Sequence, residues 1–189
     1  MAAIFAFKCS CCGEIHEGSP SFGYNEPWQY STLSDEQKEA MGRLTDDLCT
    51  ITHDEGTDYF IRAVLEIPIM GVEDPFSWGV WSSLSEKSFN RYVETFDNPT
   101  AGETFFGWVC NQIPCYPGTG MEEPFSADVV VQAGRARPKL RLISREELAQ
   151  HPLIVDQREG ISIAQAQEMA EELMHGVADA ADSSGGKNE

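Results

Sequence analysis

Strand-forming segments follow one another in this chain with only tight turns between them, and that succession limits the fold more than any other feature. Residues 48–52 and 59–70 are rich in β-branched and aromatic side chains and flank the turn signal Asp54-Glu55-Gly56, which predicts a hairpin. Pro68 has no N–H to donate, so the later half of the second strand should bend or lie at an edge. Further strands are expected over 76–83, 104–111, 125–132 and 136–143. The regular strand–helix alternation of a parallel doubly wound sheet is missing. The expected fold is α+β: a single domain with a mainly antiparallel sheet, a few helices and a zinc-knuckle-like turn at the N-terminus.

Three helices announce themselves by their first residues. Ser34 precedes Gln37 by three positions and Ser162 precedes Gln165 by three, the spacing of a capping box. Ser85 opens a segment with Phe89, Tyr92, Val93 and Phe96 on one helical face. The first helix should bury Ala40, Met41 and Leu44, and the last Ile163, Ala166, Ala170, Leu173 and Val177. A short helical turn is expected over 144–149 and an irregular loop over 113–124. Residues 1–30 are read as a cysteine turn and loop of the same domain, 31–177 as its body, and 178–189, small, polar and Gly-rich, as a disordered tail.

Charge removes two classes of function. Thirty-one acidic residues face 13 basic ones over 189 residues, a net charge of -18. Such a chain repels nucleic acid and anionic membrane surfaces, and it favours cations and basic proteins. Solubility alone would also account for the excess. No stretch approaches the ~20 apolar residues of a membrane span. Residues 1–7 carry neither a basic leader nor a cleavage motif, so a cytoplasmic protein is expected.

The strongest chemical signal is Cys9-x-x-Cys12-Gly13. A two-residue gap lets two thiolates point at one tetrahedral ion. A glycine after the second cysteine allows a positive φ, which turns backbone N–H groups toward sulfur. His16 is close enough to reach the same ion, and zinc is the expected metal. The rival readings are a redox pair, which lacks its usual strand–helix context here, and inert thiols. Cys11 is read as a bystander.

Other residues invite weaker readings. Arg135, Arg137, Lys139 and Arg141 alternate, so on a strand they share one face. That stripe could bind an anion or an acidic partner. It could equally protect an edge strand or neutralise the chain's own acidic surface. Trp78 and Trp81 fall on opposite faces of a strand, with core packing as the simpler role. His151 near Asp156 could form a base and its orienter, although a surface histidine is the plainer account.

Several motifs recur in one order: Cys9-x-x-Cys12-Gly13-Glu14-x-His16, Asp47-Leu48-Cys49, Leu65-Glu66-Ile67-Pro68, Trp78-Gly79-Val80-Trp81, Phe106-Gly107-Trp108 and His151-Pro152-Leu153. With them the chain resembles an uncharacterised bacterial family, domain of unknown function 2199, from about Phe7 to Met169. The resemblance implies no activity. It does place Cys9, Cys12, His16 and Cys49 on motif positions, and these four are the expected metal ligands. His53 would lie roughly 13 Å along a regular strand from Cys49 and is set aside. The expected function is a cytosolic binding module with a structural zinc, able to inhibit a basic protein. The alternative is a zinc- or thiol-dependent enzyme acting on a small molecule.

Overall fold

The computed structural model describes residues 4–116, 118 and 124–182, with side chains described as far as His175. It begins with a small hairpin, β1 (Ala6–Lys8) against β2 (Ile15–Glu17), in which Phe7 faces His16. Three short elements follow: β3 (Ser21–Gly23), α1 (Trp28–Ser31) and α2 (Asp35–Met41). Ser34 and Gln37 form the expected capping box at the start of α2. The expected apolar face of this helix is shorter than its pattern suggested. Ala40 is exposed, and Leu44 has already passed into β4 (Gly42–Leu44).

The spine of the molecule is β6 (Gly56–Ile67). One of its edges pairs along nine positions with β7 (Phe76–Leu84). The other edge is shared. Its first half takes β5 (Leu48–His53) in the expected hairpin, and β4 extends β5 outward. Its later half takes β10 (Lys139–Leu142) in parallel register. From β7 the sheet continues antiparallel through β8 (Thr104–Val109) and β9 (Ser126–Val130) to β10. β3 pairs in parallel with the earlier part of β7.

The large sheet therefore holds six antiparallel pairings and two parallel ones, and it closes. Strands β6 to β10 form a closed five-stranded barrel, a closure that the expected mainly antiparallel sheet did not include. Five strands alternating in direction must end pointing the same way as they began, so β10 can meet β6 only in parallel. Closure pairs both edges of every barrel strand along part of its length. Gly107 admits the close approach of β8 to β7: a Cβ there would sit 2.6 Å from the Ser83 carbonyl oxygen.

Two cores result. The main one holds Ile61, Ala63, Leu65 and Ile67 of β6 with Trp78, Val80, Ala127, Val129, Leu140 and Leu142. The second lies on the other face, where Phe60 and Trp81 meet Cys49, Ile51, Cys110 and Tyr30 of α1. Trp78 and Trp81 do occupy opposite faces, and both are fully buried because each face has its own cover.

Three helices complete the fold. α3 (Glu86–Glu94) is capped by Ser85, which accepts from the Ser88 N–H. Phe89 and Tyr92 are buried, whereas Val93 is exposed. α4 (Pro152–Glu159) was not expected; His151 caps it and Pro152 occupies its first turn. A single 3-10 turn at Glu146–Leu148 stands where a helical turn was expected. α5 (Ile163–Asp182) starts at the Ser162 capping box. It extends into the segment read as a tail; residues 183–189 of that segment, and 117 and 119–123 of the expected irregular loop, lie outside the described residues. No helix of the described residues is long and apolar enough to cross a membrane.

Candidate metal centre

The turn between β1 and β2 is built by its own backbone. The Cys9 N–H donates to the Glu14 carbonyl at 2.8 Å, and the Gly13 N–H donates to the Cys9 carbonyl at 3.0 Å. Gly13 has φ 77°, the left-handed region in which a Cβ would be strained. The turn brings Cys9 and Cys12 to one side, and β2 then carries His16 to them. The His16 ring is stacked on Phe7 with centroids 5.2 Å apart.

α5 supplies what the hairpin lacks. Gln167, Glu171 and His175 recur every four residues and so form one stripe along the helix. Gln167 donates to the Lys8 carbonyl at 3.4 Å and to Glu171 at 3.1 Å. Glu171 accepts from the Ser10 N–H at 2.7 Å and from the Ser10 hydroxyl at 2.5 Å. Those two bonds hold its carboxyl below the usual carboxylate range. Two turns beyond Gln167, His175 Nε2 stands 3.1 Å from Cys9 Sγ.

Cys9, Cys12, His16 and His175 thus present four ligand atoms, all within 4.8 Å of one another, and this group could hold a metal ion. Cys12 Sγ lies 3.6 Å from His16 Nε2. Around one zinc, with Zn–S about 2.3 Å and Zn–N about 2.0–2.1 Å, tetrahedral ligand atoms stand about 3.3–3.8 Å apart. The donor set suits such an ion, the Cys12–His16 distance falls in that range, and the Cys9–His175 distance is slightly shorter.

The electrostatics agree. Burial pushes the Cys9 thiol up. The backbone N–H groups of Cys12 and Cys11, then the side chains of Cys12 and His175, together outweigh it and bring Cys9 from 9.0 down to about 7. For Cys12 the Glu14 backbone N–H acts downward, but burial and the neighbouring Cys9 raise it above 9.0. Two thiolates this close repel each other, and a cation between them removes that repulsion.

Cys49, expected as the fourth ligand, is placed elsewhere. It is 1% exposed in the second core, among Ile51, Phe60 and Trp81, whereas Cys9 belongs to the main one. Burial first, then the charges of Glu26 and Cys110, push its thiol up to about 12. Its position inside β5 turns it into the sheet's apolar cover and away from the knuckle. His53 pairs with Asp58 at 3.0 Å. Cys110, 1% exposed, is pushed up to about 11 by burial. Half-buried Cys115 is pushed up to about 12 by burial and by Glu172. Asp156 accepts from the Tyr116 hydroxyl at 2.9 Å, and the His151 side chain accepts from the Leu153 N–H to cap α4.

The basic stripe is engaged with the chain's own acids. Arg135 pairs with Asp97, Arg137 with Asp47 at 2.7 Å, Lys139 with Glu66 at 2.7 Å and Arg141 with Asp128 at 2.7 Å. Only Lys139 and Arg141 lie on a strand, and β10 is no edge: it pairs with β9 on one side and β6 on the other. Of the readings weighed for these residues, neutralisation of local acidic surface matches the ion pairs.

His175 is the site residue that sequence reasoning passed over. Its signal was the polar stripe Gln167, Glu171, His175 on an otherwise apolar-faced helix.

A family model described as an uncharacterized protein conserved in bacteria, DUF2199, matches residues 8–161. That span takes in Cys9, Cys12 and His16 and ends before His175. Neither a curated protein nor a solved structure matches the chain. The chain belongs to the DUF2199 family.

Proposed function

We propose that this DUF2199 protein is a binding module in which a structural zinc staples the N-terminal hairpin to α5. The observation that carries the reading is the convergence of Cys9, Cys12, His16 and His175 within 4.8 Å. Two thiolates and two imidazoles in a tetrahedral arrangement select zinc over hard cations such as magnesium or calcium. Four protein ligands leave no position for water, and a closed site of this kind supports folding, not hydrolysis. Three of the four remaining thiols speak against the alternative of a thiol-dependent enzyme. Cys49, Cys110 and Cys115 are all pushed up to about 11 or 12, and a nucleophilic cysteine needs a lowered value.

A basic protein is the proposed partner. Among the described residues, seven Lys and Arg side chains are engaged in internal ion pairs. Each pair also engages one acid, so the net charge of -18 is left to dominate the outer field, which steers cations inward and nucleic acid away. Six free cysteines accord with the reducing cytoplasm.

Elemental analysis of desalted protein tests the centre. The expected result is about one zinc per chain in wild type and none in Cys12→Ser. Equal, negligible zinc in both proteins would overturn the reading. For the partner, retention on immobilised polylysine but not polyglutamate, weakening with salt, is expected; no retention at low salt counts against it.

A further inference from the structure

The barrel wall opens where β6 and β10 part. The two run together through Val64 with Lys139 and Leu65 with Leu140. Then β6 ends at Ile67, just before Pro68, and Ile69 bridges to Ile161, while β10 continues to Leu142 beside β9. Gln157 of α4 serves the vacated edge like a short piece of strand. Its side chain donates to the Leu140 carbonyl and accepts from the Leu142 N–H, both at 2.8 Å.

Between the diverging strands and α4 lies a cleft of about 680 Å³. Small-molecule sites typically measure about 300–1,000 Å³. Its walls are largely apolar, with Ile69, Val72, Leu140, Leu142 and Ile154 among them. Its charged lining has three cations, Lys139, Arg141 and Arg158, against two carboxylates, Glu66 and Glu73. With Asp128 and Glu159, the partners of Arg141 and Arg158, four carboxylates face three cations, a far milder acidic balance than 31 against 13 over the whole chain. The cations are accessible: the side chains of Arg141 and Arg158 are 70% and 55% exposed, paired with Asp128 and Glu159. Exposed pairs of this kind hold weakly, and a guanidinium can take an incoming carboxylate on its fork of donors.

We infer that this cleft binds a small monocarboxylate with an apolar body, the body on the aliphatic walls and the carboxylate on Arg141 and Arg158. A dianion would meet Glu66 and Glu73, and an amine would meet the three cations. The inference goes beyond the metal-stapled binding reading and does not depend on it.

Methyl and amide NMR titrations of the full zinc-loaded chain test it, with octanoate and 3-phenylpropanoate as probes for a chain-like and a ring-like body. Saturable shifts are expected at Ile69, Leu140, Leu142 and Ile154 with at least one acid, and none there with octylammonium. The double variant Arg141→Gln, Arg158→Gln should weaken binding about tenfold or more while leaving the core spectrum unchanged. Ser144→Trp, which fills the cleft from an exposed position, should abolish it. Absence of saturable shifts with both acids, equal shifts with octylammonium, or undiminished affinity in the double variant would overturn the inference. Zinc content measured on the same samples reports the metal centre separately.

Discussion

At the N-terminal turn, Cys9 is buried yet its thiol is brought down to about 7; in the second core, Cys49 is just as buried and is pushed up to about 12. Loss of water acts upward on both. The difference lies in what replaces the water. Around Cys9 stand two backbone N–H groups, a second thiol and an imidazole, held there by a two-residue turn and a helix arriving from the other end of the chain. Around Cys49 stand Ile51, Phe60, Trp81 and Tyr30, which offer its sulfur packing and no compensation for charge. One residue type thus becomes a candidate ligand or a small hydrophobe according to the dipoles within reach.

The sharpest way to break that comparison is to remove a donor from each region. His175→Ala should lower zinc affinity by more than the about 10–100-fold that changes outside the first ligand shell cost, read by competition with a chelator. Cys49→Ala should leave affinity unchanged. The opposite pattern would restore Cys49 as a ligand. The next effect is on stability. Cys49→Ser sets a hydroxyl among apolar groups and should cost about 1–3 kcal/mol in denaturant midpoint at constant slope, with zinc retained.

A pH profile sharpens the comparison further. Cys49 and Cys110 hold their protons more tightly when folded, near 12 and 11, than an ordinary thiol at 9.0. Their contribution is present in full below pH 9. It is lost as pH rises from 9 toward 11 and 12, because the unfolded chain then releases protons that the folded one keeps. Tyr92, raised to about 12, acts in the same sense, so Cys49→Ala should flatten the alkaline decline without removing it. The smallest effect belongs to the barrel exterior. Arg137→Gln, which breaks a partly exposed pair with Asp47, should change stability by no more than about 1 kcal/mol.

How much of this was legible depended on the range of the interaction responsible. Ser34 with Gln37, Ser162 with Gln165, and Ser85 mark helix starts through bonds spanning three residues, and all three marks hold. The β5–β6 hairpin and the end of β6 just before Pro68 are equally local, although the later half of β6 is paired on both sides and is not the edge that was expected. Barrel closure is not. Leu140 pairs with Leu65 across 75 positions, and nothing within either segment names its partner. α4 escaped because Leu153 and Ile154 are adjacent and give little helical periodicity, although a histidine cap before Pro152 was there to be read. At the metal centre the turn was visible from spacing. The fourth ligand was not, because the docking of α5 on the hairpin decides it.

The contact between Cys9 and His175 joins positions 166 apart, and this gives the centre a place in time. During synthesis Cys9, Cys12 and His16 leave the ribosome with the first hairpin, whereas His175 is made after all ten strands. A metal captured early has three protein donors and one position open to water or small thiols, so it exchanges readily. Seating α5 closes that position. A metal held as proposed would make the centre a latch that shuts last, and the ion's residence time would distinguish a chain whose final helix has docked from one still being made.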